Sequence, residues 1–496
     1  MNATPRLCRA ALPLLVHHTL GPLRNEFGVG IVHLGVGNFQ RAHQAVYTER
    51  AMLAAGGDWG ICGVSLRSSA VRDALAPQDG IYSVIVRDAH GRSTAVLRSL
   101  REILVAPENP EAVLDRLCDR CTRIVTLTVT EKAYCRNEAG GLGLHHRIID
   151  AELRSPAIPK SAIGFLVEAL RRRRARGHAP FTVVSCDNLE RNGAALRRVC
   201  IEFADLCDAD LARWVEREVA FPSTVVDRIV PATTDADRAD AAADLHMADA
   251  WPVATEPYMQ WVIEDCFPTG RPSWEAGGAL LVADVAPFEQ AKLRLLNGAH
   301  SAMAYLSMLA GYEFISDAIA EPHLRRLIET MMTDEIAPTL SVPPDFDLND
   351  YRKSLLARFA NPALKHRCAQ IAMDGSQKLP PRLLAPMRER LAAGQPIRRM
   401  ALAMAAWMRF LQGHSDSGAE YRIDDPLGER LSSLAGSAGT DAAALYAAIA
   451  GKSGVIPVEL AVHRQFKGNV VTALESLFGS GVRQTIIHAA RTFNSE

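Results

Sequence analysis

Between residues 28 and 235 the hydrophobic pattern alternates between two periods. Short apolar runs, GIVHLG, WGICGVSL, RIVTLTVT, FTVVSCDN and STVVDRIV, are separated by stretches with helical spacing. That alternation is the signature of a parallel sheet flanked by helices. IYSVIVRDAHGRSTAVLRSL reads as a hairpin turning around Ala89 to Arg92, a decoration on the sheet. After Asp284, a candidate N-cap, and Pro287 in the first turn, nearly every segment is helical in period. EPHLRRLIETMMTDEI, RRMALAMAAWMRFLQG and AVHRQFKGNVVTALESLFG are examples. The expected architecture is an α/β dinucleotide-binding domain over residues 1–285 followed by a mainly α-helical C-terminal domain over residues 286–496. At 496 residues the chain exceeds what one core of ordinary size serves.

Composition narrows the function classes. Hydrophobic residues at 48% and charged residues at 22% are the balance of a soluble globular protein. With 55 basic against 56 acidic residues no overall field favours nucleic acid or a membrane surface, so any anion must be held locally. The basic run RRRRARG at 171–177 follows AIGFLVEAL and ends in glycine, which reads as a helix C-terminus. AALPLLV near the N-terminus is broken by Pro13 and makes a poor secretory signal, so a cytoplasmic location is the default expectation. Ten irregularly placed cysteines suggest reduced thiols. The CxxC of Cys118 and Cys121 lacks the partners that four zinc ligands need, so no metal is expected.

In IVHLGVGNFQRAHQAVYTER, Gly35 and Gly37 fall directly after the first strand and before a helical run. In a dinucleotide-binding fold the first glycine makes the tight turn and the second lets the backbone approach a pyrophosphate. Gln40 stands where GxGxxG would have its third glycine, so the motif is partial. The expected cofactor-binding set is Gly35, Gly37, Asn38, Phe39 and Arg67. After WGICGVSL come Arg67, Ser68 and Ser69 in place of the acid that would hold the ribose of NAD. Arg67 or Arg72 could accommodate a 2′-phosphate, which leaves NADP open.

The segment AKLRLLNGAHSAMAYL, residues 291–306, is apolar except for Lys292, Asn297 and His300. At about 100° per residue with Lys292 at zero, Glu289 falls at about 60°, His300 at about 80° and Asn297 at about 140°. Four polar groups on one side, two of them ionisable, point to a cavity. Burial lowers a lysine's pKa towards neutrality, so Lys292 could exchange a proton with an alcohol, with amide donors stabilising the developing alkoxide and Glu289 relaying the proton.

GVGNFQRAHQA, TLTVTEKAYC, SCDNLERNG, FPSTVVDRI, WPVATEPYMQWVIED, KLRLLNGAH and IAMDGSQKLP, in that order between residues 35 and 380, strongly resemble the polyol-specific long-chain dehydrogenases, the mannitol dehydrogenase family. The resemblance implies a zinc-independent, NAD-linked, monomeric dehydrogenase acting on a small polyol or sugar acid. It implies Lys292 as acid/base, Asn188 and Asn297 holding the reacting oxygen, His300 orienting substrate and Glu289 relaying the proton. Asp227 and its neighbour Arg228, from the VDRI motif, and Lys378, from DGSxK, are the implied substrate residues. Mannitol dehydrogenases usually carry an acidic pair after the second strand, and it is absent here; Gln370 replaces an arginine that they place before DGSxK. HRCAQIAMDGSQKLPPR, with Lys132 in TEKAYC, looks more like the fructuronate reductases, or mannonate oxidoreductases. A sugar acid brings a carboxylate that needs Arg or Lys donors. Lys378, Arg382, Arg367 and His366 are the candidates. The first expectation is therefore interconversion of D-fructuronate and D-mannonate, and the alternative is oxidation of mannitol to fructose.

Overall fold

The computed structural model describes residues 4–23, 26–344 and 346–492, which divide into two compact units, Met1–Ala286 and Pro287–Glu496.

The first unit is built on a five-stranded sheet. In it, β1 (Val29–Leu34), β2 (Gly60–Ser65), β5 (Leu100–Val105), β6 (Ile124–Leu127) and β7 (Thr182–Ser185) run parallel in the order β5-β2-β1-β6-β7. The strands read as continuous apolar runs because helices cover both faces of the sheet. Two cores flank it, one around Leu114, Phe165 and Phe203 and the other around Tyr47, Trp261 and Trp274. The order reverses between β1 and β6, the switch point outside which open α/β sheets bind their ligands. This is the Rossmann-type arrangement that the alternating periods predict.

Two smaller sheets complete the unit. The expected hairpin is β3 (Tyr82–Asp88) and β4 (Gly91–Leu97), and β9 (Val253–Thr255) pairs with β3. STVVDRIV departs from expectation. Its strand β8 (Thr224–Asp227) does not join the parallel sheet but pairs antiparallel with β10 (Gln260–Glu264), which β11 (Leu280–Val282) flanks.

The basic run is more than a solvated helix end. It closes the helix Ala162–Ala175, and Arg173 is buried, donating to the carbonyls of Leu117, Asp119 and Ala179. All ten cysteines are free; Cys118 is buried and Cys121 exposed. Among the described residues no helix is long and apolar enough to cross a membrane.

The second unit is helical. Asp284 Oδ1 accepts the backbone N–H of Ala286 at 2.9 Å, and Ala286–Ala291 begins the helix. Winding then changes: Lys292–Gly298 is a π-helix, and α geometry resumes over Ala299–Ala310. Among the described residues two further π segments occur, Met331–Ile336 and Pro380–Leu384. Pro380 and Pro381 have no N–H for the carbonyl one turn back, and widening the turn relieves the clash of their rings. The helix Arg398–Phe410 is buried from Arg399 onward, and Arg464–Thr492 is interrupted at Gly481.

Candidate functional site

In the first unit the loops leaving β1, β2 and β6 enclose a cavity of about 420 Å³ at the switch point, lined by Gly35, Val36, Ser65, Arg67, Thr128 and Thr130 among others. Gly35 turns the chain at φ +95°, and a Cβ there would lie 2.3 Å from the carbonyl oxygen of Thr128, so only glycine fits. Gly37 precedes the helix Asn38–Ala42, and a Cβ on it would meet nothing closer than the Gly35 oxygen at 3.7 Å. Its lack of a side chain therefore serves access to the backbone. The cavity and this glycine turn fit a dinucleotide.

Asn38 and Phe39 adjoin the turn, but their side chains are engaged elsewhere. Asn38 Nδ2 donates to the Pro231 carbonyl and Thr233 Oγ1, and Phe39 stacks on His43. These contacts brace the start of the helix beside the glycine turn. Arg67 is exposed at the cavity, whereas Arg72 is engaged with Asp73 and Glu108.

A buried network sets the cavity wall, and sequence reasoning missed it. His33 lies between the hydroxyls of Thr126 at 2.7 Å and Thr128 at 2.8 Å, and Thr128 Oγ1 donates to the Gly35 carbonyl. Burial holds the His33 imidazole neutral, its pKa pulled down to about 3. Asp187 accepts the N–H groups of Val129 and Thr130, at 3.1 and 2.9 Å, and the Tyr134 hydroxyl at 2.8 Å. Burial pushes the Asp187 carboxyl up, and these three donors oppose that. The loop from Thr128 to Tyr134 is thus pinned although Thr130 sits at φ 70°. The available signal was a polar residue directly after an apolar strand, in TLTVT and SCDN alike. Asn188, next to Asp187, is exposed.

Asp227 ends β8 and is buried. Arg228 is also buried, and its guanidinium donates to the carbonyls of Glu256 and Ala42. Arg228 thus ties the end of β8 to the segments that carry Ala42 and Glu256.

In the second unit the π winding changes the geometry expected of Lys292. Hydrogen bonding i to i+5 aligns residues five apart as an α turn aligns those four apart. Lys292 and Asn297, about 140° apart on an α-helix, therefore share a face. Arg294 anchors the segment from the opposite side, bidentate on Glu389 at 2.6 and 2.6 Å with a further bond to the Thr339 carbonyl. Gly298 lets the Pro380–Leu384 segment pack backbone to backbone: a Cβ there would be 3.0 Å from the Arg382 carbonyl oxygen. Lys292, Asn297, His300 and Glu289 are all partly buried.

His300 packs against Phe359 and His366, with ring centroids 4.7 and 5.4 Å away. Its imidazole is held well below the ordinary histidine pKa, first by burial and then by His366, Arg358 and Arg382. Lys378 donates to the Met373 carbonyl at 2.7 Å and lies 3.5 Å from Asp374, its pKa lowered by burial and by Arg382. Arg367 does not join this group. It is exposed and paired with Glu313 at 3.2 Å. Among the described residues no group of three or more His, Cys, Asp or Glu is placed to hold a metal ion.

Comparison with known proteins decides the family. The model of the mannitol dehydrogenase Rossmann domain matches residues 29–276, and that of the mannitol dehydrogenase C-terminal domain matches residues 284–478. The chain belongs to the mannitol dehydrogenase family. It is 44% identical over 462 residues to the D-mannonate oxidoreductase of Escherichia coli (strain K12), covering 92% of this chain and 94% of that protein. It is 40% identical over 467 residues to the mannitol 2-dehydrogenase of Aspergillus terreus (strain NIH 2624 / FGSC A1156), covering 92% of each. Within the family, the structure of Pseudomonas fluorescens mannitol 2-dehydrogenase in ternary complex with NAD and D-mannitol is 36% identical, with a TM-score of 0.82 over 98% of this chain and 100% of that one. A substrate-free D-sorbitol dehydrogenase is 32% identical, with a TM-score of 0.91 over 97% and 100%. As a member of the mannitol dehydrogenase family the protein is an oxidoreductase acting on CH–OH groups, with a Rossmann unit fit for NAD.

Proposed function

We propose that the protein is an NAD-linked reductase of a keto-sugar acid, converting D-fructuronate to D-mannonate. The observation that carries this reading is the 44% identity to D-mannonate oxidoreductase along nearly the whole of both chains. Gly35, Gly37 and Arg67 would hold the dinucleotide, whose nicotinamide supplies the hydride when bound. Lys292 acts as the acid that gives a proton to the carbonyl oxygen being reduced, and as the base in the reverse direction. Asn188 and Asn297 hold that oxygen by amide donation, and Asn297 is suited to it by sharing the Lys292 face. His300 orients the substrate, Glu289 returns the lysine's proton, and Asp227 and Lys378 organise the remaining hydroxyls. In this reading the enzyme works as a monomer in the cytoplasm.

The 40% identity to mannitol 2-dehydrogenase supports a second reading, oxidation of mannitol to fructose by the same lysine chemistry. Purified protein offered NADH with fructuronate, tagaturonate or fructose decides between them by the loss of reduced cofactor. Fructuronate is expected to react fastest, and faster turnover of fructose than of either uronate overturns the first reading. Replacing NADH by NADPH in the same assay measures what the missing acid after β2 costs or gains.

A further inference from the structure

In the helical unit one partly buried guanidinium has donors to spare among the described residues. Arg382, on the π segment Pro380–Leu384, is partly buried, and its one hydrogen bond among the described residues runs from Nη1 to Ser301 Oγ at 3.1 Å. A guanidinium carries five N–H donors in a rigid fork, so most of this fork is left over. Next to Ser301 stands His300, whose Nε2 is shielded from solvent without a hydrogen-bond partner among the described residues. The groups that act on His300 electrostatically are His366, Arg358 and Arg382, and all three are basic. Tyr305 and Asp374 act on Arg382. Burial keeps the Tyr305 hydroxyl protonated, and it donates to the Ala372 carbonyl. Asp374 also faces Lys378 at 3.5 Å. Asp425, which acts on Tyr305 and Lys378, accepts from the backbone N–H and hydroxyl of Ser376. Asp374 and Asp425 are thus engaged on the Lys378 side.

An under-bonded guanidinium beside an unpartnered imidazole is arranged for a planar anion of carboxylate size. Gly298 fixes the position, since the close approach of its helix to the Arg382 carbonyl sets the guanidinium against Ser301. We propose that Arg382 recognises the substrate's carboxylate, with His300 Nε2 as the neighbouring donor, and so selects a sugar acid over the neutral sugar. This rests on the reading of the protein as a sugar-acid reductase and names the residue that makes it one.

The test compares wild type with Arg382→Gln and Arg382→Lys in two assays. In the first, kcat/KM is measured for fructuronate and for fructose with NADH. Arg382→Gln is expected to lose about 10- to 100-fold more on fructuronate than on fructose, chiefly through KM, with Arg382→Lys between it and wild type. An equal loss on both substrates overturns the proposal. In the second, binding of D-mannonate and of mannitol to the NADH-free protein is followed by calorimetry. Wild type is expected to prefer mannonate, and Arg382→Gln to lose that preference; a preference retained by both variants overturns the proposal. Wild type that binds mannonate through Arg382 but turns over no uronate would refute the reductase reading and leave the anion site standing. Thermal melting of each variant shows whether it is folded, and Arg382→Lys preserves charge if Arg382→Gln is not.

Discussion

Lys292 carries the heaviest chemical demand placed on one side chain here. Replacing it with alanine is expected to lower turnover by about 10²- to 10⁴-fold while NADH still binds, as steady-state kinetics and quenching of protein fluorescence would show. Near-normal turnover would remove it from the acid/base role. Asp187 makes a different kind of prediction. Its carboxylate accepts three donors from the loop that walls the cofactor cavity, and Asp187→Asn replaces one acceptor oxygen with a donor. Affinity for NADH should fall by about 3- to 30-fold, with a smaller change in kcat. Unchanged affinity would mean that the loop holds itself. The two residues were unequally legible in the sequence. Lys292 stood out as a cation in an apolar stretch. Asp187 passed unnoticed beside Asn188, because its role depends on a loop some 57 residues earlier in the chain.

At the scale of elements, the alternation of periods was enough to predict four strands of the parallel sheet and the hairpin. The edge strand β5 escaped because LREILV interleaves charge with apolar residues, and β9 and β11 because three residues show no period. STVVDRIV was seen as a strand but assigned to the wrong sheet, since a short apolar run says nothing about its partner. The π winding of Lys292–Gly298 was invisible for another reason. A helical wheel assumes 3.6 residues per turn, and nothing in KLRLLNG declares a wider one. Gly298 tests the packing that accompanies it. In Gly298→Ala the new methyl group must displace the Arg382 backbone, which should cost about 1 to 3 kcal/mol in thermal or denaturant unfolding. A cost below about 0.5 kcal/mol would show that the two segments move apart freely.

For the whole molecule, acid is the informative stress. The pKa of His33 in the fold is about 3, below the roughly 6.5 of an unfolded chain. Between these values the unfolded state binds the extra proton, so stability is full above about pH 6.5 and is lost as pH falls, by up to about 1.4 kcal/mol per pH unit for this group. His300 and His366 act in the same direction in the helical unit. Denaturant unfolding between pH 7 and pH 5 should show this decline, and His33→Gln should flatten it for the Rossmann unit; a slope that does not change would place the acid sensitivity elsewhere.

The wide turn at Lys292–Gly298 also has a bearing on the reading frame. Forming one more residue into the same helical length is what a single-codon insertion does, and removing one residue between 293 and 296 would let the segment rewind as ordinary α-helix. Everything after it, His300 and Ser301 included, would then keep its phase against Glu289 and Lys292, because four residues of α-helix turn about as far as five of π-helix. The lysine and the asparagine would still share a face, whereas the same residues wound as α-helix without that deletion would stand about 140° apart. Substitution scans of this stretch leave the count of residues untouched and so report only on its chemistry, whereas the wide turn is what lets five residues stand where four would in an α-helix.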